Sequence, residues 1–390
     1  MAYTAHLQYH SFLRFEVDWD HLPGDLCHLL GQNVQSLHLI GVSPIKPHLA
    51  QQMLAVSLAK YIEGTAAIEG RQIDPGTLKK AIAAEGSQAA AYTQAEEGNY
   101  CQACDTIRAN AMANLCPPIT LDSLGEMNRQ VLTGVQTDEG INIGHLRHHM
   151  VNVQGYAPPG PQHLPGLMEN FLAWLNVDIG LNDSRLGQSL TSSGRGILKA
   201  LVGHLYFELI HPFGDGNGRV GRLLELDLLA RAGVPFPSAL ALTSYYNAYK
   251  SEYFNRIRQV EIDHQDDTAV CDFLRFALRG LREGASTHLD EIHAQTLQAL
   301  WADYIYEKFR SIEHRKAARR QRKLALALTN EPASLRAVVL LTPEIATAYA
   351  TLSESTVSQD LKQLEAMGIA VRTKDGWQTN MRLMLAFSPK

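Results

Sequence analysis

The sequence predicts a mainly α protein: a helical core, a small β-hairpin flap in its middle, and a helix-turn-helix with a hairpin at its C-terminus. Three observations carry this. Residues 197–210 (ILKALVGHLYFELI) set Leu198, Leu201, Val202, Leu205, Leu209 and Ile210 three and four apart, which is one apolar helix face. Residues 134–166 lose that period, and their Gly, Pro and short alternating pieces such as HHMVNVQG suggest a hairpin. Residues 342–379 read as two capped helices and then two short strands joined at Asp375–Gly376.

Composition sets the bounds. The chain has 390 residues, 45% apolar and 19% charged, enough for a large core and two or three domains. A net charge of -5 at pH 7 argues against coating nucleic acid over the whole surface, though not against a local basic patch. No apolar run approaches a membrane span, and the first residues lack a signal-peptide core, so the expected location is cytoplasmic, with no membrane partner. The five cysteines are an odd number. Cys101 and Cys104 have redox spacing but lie in helical sequence without a preceding strand, and read as buried helix residues.

Taken in order, residues 1–40 show no clear period. Leu54, Val56, Leu58, Ala59 and Ile62 make 47–63 a helix. RQIDPGTLKKAI starts another, with Asp74 and Pro75 at its cap and first turn. Residues 89–114 and 120–133 read as helices, the second capped by Thr120 or Asp122. Helix resumes at Leu167, runs through 197–232 to a stop at Gly233, and recurs at 243–259 and 268–279. Residues 285–325 read as one long helix of rising polarity. Its end, 308–323, holds eight Lys or Arg against one Glu, either a solvated face or a phosphate-contacting one. Thr342 caps and Pro343 opens the next helix; Ser353 caps and Gly368 stops the one after. With the hairpin these make a winged helix-turn-helix, suited either to DNA or to a protein partner, dimerisation included. The expected domains are an N-terminal helical region (1–110), a core (111–284), a linker helix (285–330) and the winged helix-turn-helix (331–390).

Residues 211–222 read HPFGDGNGRVGR. Gly216, Gly218 and Gly221 fit GxGxxG, but a dinucleotide loop follows a strand, and here a helix precedes. A bare helix–helix turn does not need His211, Asp215, Asn217, Arg219 and Arg222 together. The loop resembles the signature of the Fic-domain family: His-Pro-Phe, any residue, Asp or Glu, Gly-Asn, Gly or Lys, Arg, two variable residues, Arg. Every fixed position is met. FELIHPF before it, and Arg147 with NVQG upstream, extend the resemblance.

The resemblance implies a Fic-fold helical core and transfer of AMP from ATP to a Ser, Thr or Tyr hydroxyl of a target protein, or of the chain itself. It implies His211 as the general base, since imidazole is mostly neutral near pH 7 and can take the hydroxyl proton. Gly216, Asn217, Gly218, Arg219 and Arg222 become the phosphate cradle, with backbone amides turned inward and guanidinium forks on the β- and γ-phosphates. Asp215 becomes the Mg²⁺ holder, a hard oxygen donor beside phosphate oxygens. Arg147, Val151 and Val153 become a flap that aligns the target by strand pairing. His145, His148 and His149 stand nearby, but no cysteine or carboxylate set accompanies them at ligand spacing. A homodimer is a further expected assembly.

TAAIEG, residues 65–70, is on residues alone a helix end with Gly70 as terminator. The resemblance makes it an inhibitory motif of Thr65, Glu69 and Gly70, lying before the catalytic loop. Glu69 would then pair with Arg222 and repel the triphosphate. The same glutamate could instead orient water for AMP removal, and the site could transfer another phosphate-bearing group. A nucleotide-sensing DNA regulator is the non-enzyme alternative, against which the intact loop argues.

Overall fold

The computed structural model describes residues 10, 12–71, 95–153 and 155–385. The helix expected from Asp74–Pro75, the start of the one expected from residue 89, and Gln154 of the flap lie outside them. The chain divides into two compact units between Leu289 and Asp290.

In the first unit, α1 (Gly24–Val42) and α2 (Pro47–Ile68) precede α3 (Ala95–Met112) and α4 (Leu121–Leu132). Thr120 is the N-cap of α4: its Oγ1 accepts from Ser123 N at 3.1 Å, and Ser123 Oγ accepts from Thr120 N at 2.9 Å. That capping box satisfies two amides that the first turn leaves unpaired. Then come α5 (Leu164–Asn176), α6 (Arg185–Ser189) and α7 (Ser192–Ile210), the last capped by Thr191. Next are α8 (Asn217–Arg231), α9 (Phe236–Ala248) and α10 (Lys250–Ile262). α8 stops as expected at Gly233, whose φ of +79° lets Val234 N reach Leu229 O at 3.1 Å. α7 and α8 pack together at the centre, and α2 lies along α9. Leu198, Leu201, Val202, Leu205 and Leu209 of α7 are all fully buried. Cys101 and Cys104 are buried in α3, where burial pushes both thiols up, Cys101 to about 12.

The long α11 (Thr268–Phe309) runs from the first unit into the second. The second unit holds α12 (Lys316–Ala327), α13 (Leu335–Val338), α14 (Pro343–Tyr349) and α15 (Glu354–Ala366). Strands β1 (Ala370–Arg372) and β2 (Trp377–Thr379) pair antiparallel, Val371 opposite Gln378. Thr342 caps α14, its Oγ1 accepting from Ile345 N at 3.2 Å. Ser353 precedes α15 without a side-chain bond to its amides; its hydroxyl faces those of Ser355 and Thr356.

Two expectations need correction. Residues 285–325 are not one helix: the chain turns at 310–315. Phe309 ends α11 in the same apolar cluster that Ala318, Leu324 and Ala325 of α12 enter, so the turn lets both bury. None of the intervening residues is Gly or Pro, which hides the break from periodicity. The segment 243–259 is likewise two helices, broken at Tyr249 (φ -115°, ψ 41°). The flap carries the expected hairpin in its shortest form, a single antiparallel bridge from Val153 to Tyr156. Pro158, Pro159 and Pro161 follow and have no N–H, so the ladder cannot lengthen.

The basic run is partly engaged within the second unit. Arg320 forms an ion pair with buried Asp360 of α15 at 2.7 Å, Arg322 pairs with Glu313, and Arg319 donates to the Glu313 carbonyl. Among the described residues no helix is long and apolar enough to cross a membrane.

Candidate active site

His211 closes α7. Its amide donates to Phe207 O at 3.0 Å, and its backbone sits in the left-handed region (φ 52°, ψ 60°). A non-glycine residue there costs roughly 1–2 kcal/mol, so the surroundings must impose it. Arg147 supplies much of that. It is 3% exposed, and its Nε donates to His211 O at 2.8 Å, its Nη1 to His149 O at 3.0 Å, and its Nη2 to Pro159 O at 2.5 Å. Its amide also donates to Pro212 O. Arg147 therefore braces the loop rather than reaching outward. Val151 and Val153 are half-buried, and Tyr156 OH ties the flap base to Leu209 O at 2.5 Å.

The rest of the loop is fixed by two asparagines. Asn217 spans Phe213 with both amide groups, Phe213 N to Oδ1 and Nδ2 to Phe213 O, each 2.8 Å. Asn128 of α4, 1% exposed, donates to Asp215 O at 2.8 Å and accepts from Gly144 N at 2.8 Å. It thus joins the catalytic loop to the start of the flap. Sequence reading missed Asn128. Its signal was a polar residue on the buried face that Leu124, Val131 and Leu132 define.

Gly216, with φ +80°, is the N-cap of α8. The loop therefore opens on a helix N-terminus, where the dipole and first-turn amides favour negative charge. A carboxylate from the chain itself stands there. Glu69 Oε1 lies 2.6 Å from Arg222 Nη2, and a Cβ on Gly218 would come within 2.5 Å of that same oxygen. Glu69 is 31% exposed and Arg222 1%. Thr65 is fully buried four residues earlier; its Oγ1 has no hydrogen-bond partner among the described residues, so its contribution is packing. Gly70 takes φ +80° and ends α2.

Arg219 pairs with Asp215 Oδ1 at 2.8 Å, and Gly216 N donates to the same oxygen at 2.5 Å. Both bonds fall on Oδ1, which leaves Oδ2 for a cation. Among the described residues no group of three or more His, Cys, Asp or Glu is arranged to hold a metal. A divalent cation at Asp215 fits only if substrate phosphates supply most of its oxygens, the usual manner of Mg²⁺. His148 and His149 pack edge to face at 5.2 Å.

The electrostatics follow from burial. Burial pushes His211 down to about 4, with Glu208 O working against it and Arg147 adding to it. Burial works to raise Glu69, but Arg222 overrides it by charge and hydrogen bond and holds the carboxyl below its usual range. Burial also works to lower Arg222, and Glu69 overrides that too. Behind the pair, burial pushes Glu208 and Glu225 up to about 8, Glu225 although Tyr246 OH donates to it at 2.8 Å. Burial thus favours the protonated form of both, which leaves Glu69 as the chief anion on Arg222.

The signs give a prediction. Glu208 and Glu225 hold protons in the native state up to about 8 that the unfolded chain releases near its ordinary carboxyl values. Their contribution to stability is lost as pH rises. His211 and His204, lowered to about 4 and about 3, act oppositely, adding stability as pH rises through the range up to the ordinary histidine value. About one unit above that value the unfolded histidines have released their protons, and the buried carboxyls set the slope. Denaturant midpoints should therefore fall between about pH 7.5 and pH 8.5, and less steeply in Glu208→Gln. Midpoints that rise over that window would contradict the assignment.

Residues 118–229 match the Fic/DOC family, so the helices and loop just described include a Fic domain. The chain is 41% identical over 117 residues to the protein adenylyltransferase Fic of Drosophila virilis. It is 42% identical over 117 residues to that of Culex quinquefasciatus. Each match takes in 30% of this chain and 21% of the relative, so the shared stretch spans about a fifth of those relatives' length. Among solved structures, a Fic domain containing signaling protein from Bacteroides thetaiotaomicron superposes with a TM-score of 0.51 at 20% identity. It covers 68% of this chain and 97% of its own, and shows the fold.

Proposed function

We propose that this chain transfers AMP from ATP to a protein hydroxyl, and that Glu69 restrains the transfer. The observation that carries this reading is the seat of Glu69, a carboxylate on Arg222 at the N-terminus of α8, where a substrate anion would bind. The relatives' name, protein adenylyltransferase, supports the same reaction.

The residues divide the work. Arg219, Arg222 and the Gly218 amide receive the triphosphate, with Gly216 supplying the left-handed turn that shapes the loop. Asp215 would hold a divalent cation, which offsets phosphate charge when bound. His211 Nδ1 faces a carbonyl, Glu208 O at 3.4 Å, which can only accept; Nε2 is then the basic nitrogen. The incoming hydroxyl oxygen forms a bond to the α-phosphorus, and its proton passes to Nε2. The bond from the α-phosphorus to the bridging oxygen breaks, and pyrophosphate leaves with that electron pair. Val151 and Val153 are assigned to align the target chain along the flap.

Mass spectrometry of the purified protein after incubation with Mg²⁺ and each nucleoside triphosphate tests the substrate. An adenylyl adduct with ATP, larger in Glu69→Gly than in wild type, is expected. Adducts formed only with another nucleotide would overturn the choice of ATP.

A further inference from the structure

Glu69 is the C-cap residue of α2, which puts a carboxylate beside the negative end of its own helix. That placement is unfavourable unless cations compensate. One is Arg222. The other is Lys250, whose Nζ donates to Ala67 O at 2.8 Å. Lys250 is the first residue of α10, where a cation faces the positive end of its own helix. It is thus ill placed for α10 and well placed for α2.

The local geometry is specific. Ala67 O also accepts from Gly70 N at 3.0 Å, and Ala66 O accepts from Arg71 N at 2.9 Å. These two bonds form a Schellman end, which the left-handed Gly70 permits. Lys250 therefore fastens the very turn that aims Glu69. The scaffold behind it is continuous. α9 leads through Tyr249 straight into Lys250, and α2 lies hard against α9: a Cβ on Gly64 would stand 3.3 Å from Thr243 O. Further along the same seam, His288 bridges Ser57 of α2 at 3.2 Å and Ser238 of α9 at 3.0 Å.

We propose that Lys250 is a positioning residue for the restraint: its ammonium, bonded to Ala67 O, holds the last turn of α2 so that Glu69 stays on Arg222. The inference rests on the reading that Glu69 restrains transfer. Without Lys250 the Ala67 carbonyl turns to water, the turn opens more often, and Glu69 spends less time on Arg222.

The test uses the full chain as Lys250→Met, Lys250→Arg and Lys250→Gln, with Glu69→Gly and the double variant Lys250→Met/Glu69→Gly. Hydrogen exchange across residues 61–71 reads the turn, and self-modification with Mg²⁺ and ATP reads the restraint. In Lys250→Met, exchange of the amides of Glu69, Gly70 and Arg71 should speed up roughly 5- to 20-fold, the loss of one charge-assisted bond. Transfer should rise several-fold, by less than in Glu69→Gly. Lys250→Arg, which keeps a charged donor, should restore slow exchange and low transfer. In the Glu69→Gly background the Met change should add nothing to transfer. Lys250→Gln serves in the same comparison if the Met variant melts far below wild type. Unchanged exchange at 69–71 overturns the proposal. So does faster exchange without a gain in transfer, where Glu69→Gly does gain. If Glu69→Gly itself gains nothing while Lys250→Met exchanges faster, the fastening stands and the reading of Glu69 is what fails.

Discussion

His211→Ala should abolish transfer while leaving the fold and nucleotide binding in place. The loss should be about 10²–10⁴-fold, the usual cost of removing a general base. Nucleotide affinity should hold within a few-fold, because the cradle is built by Arg219, Arg222 and the loop amides. Arg147 grips the His211 backbone carbonyl, not the ring, so the brace survives the substitution. Histidine is found in the left-handed backbone more often than alanine, so the melting point should fall modestly while the protein still folds. The expected result is a folded, ATP-binding, inert protein. A variant that keeps more than about a tenth of the wild-type rate would place the base elsewhere.

Glu69→Gly should do the reverse. Arg222 is nearly fully buried, and removing its partner leaves a cation in want of an anion. Two effects follow. The protein should lose stability, roughly 1–3 kcal/mol, a buried-pair cost discounted because Glu69 is about a third exposed. It should also bind ATP more tightly and modify itself at least about tenfold faster, since tenfold needs only about 1.4 kcal/mol. ATP should therefore raise the melting point of Glu69→Gly more than that of wild type. The double variant Glu69→Gly/Arg222→Met separates two mechanisms. If one arginine serves both the carboxylate and the phosphate, the gain vanishes. If α2 merely plugs the site, much of the gain remains. The hydrolytic reading makes the opposite forecast on modified protein: wild type removes AMP, and Glu69→Gly does not.

The loop was legible in the sequence because its chemistry is concentrated in twelve contiguous residues. A helix period before it, four glycines within it, and the polar set His211, Asp215, Asn217, Arg219 and Arg222 admit few uses. Caps such as Thr120, Thr342 and Gly233 were legible for the same reason: their signals are local. What sequence could not give are partners made by folding. Asn128 reaches Asp215 O, Arg147 reaches the carbonyls of His211, His149 and Pro159, and Lys250 reaches Ala67 O. Each bond ends on a backbone carbonyl, which every residue carries, so no residue type marks it. Arg147 shows the consequence: its place near the flap suggested docking, and its burial shows bracing. The turn at 310–315 was hidden because no Gly or Pro stands there. The helix α1 lay in sequence too mixed to show a period.

The most direct measurement is the intact mass of three purified proteins, wild type, Glu69→Gly and Glu69→Gly/His211→Ala, after incubation with Mg²⁺ and ATP. The account predicts one or more adenylyl groups on Glu69→Gly, far less on wild type, and none on the double variant. Equal modification of wild type and Glu69→Gly would contradict the restraint, and an adenylylated double variant would contradict His211 as the base.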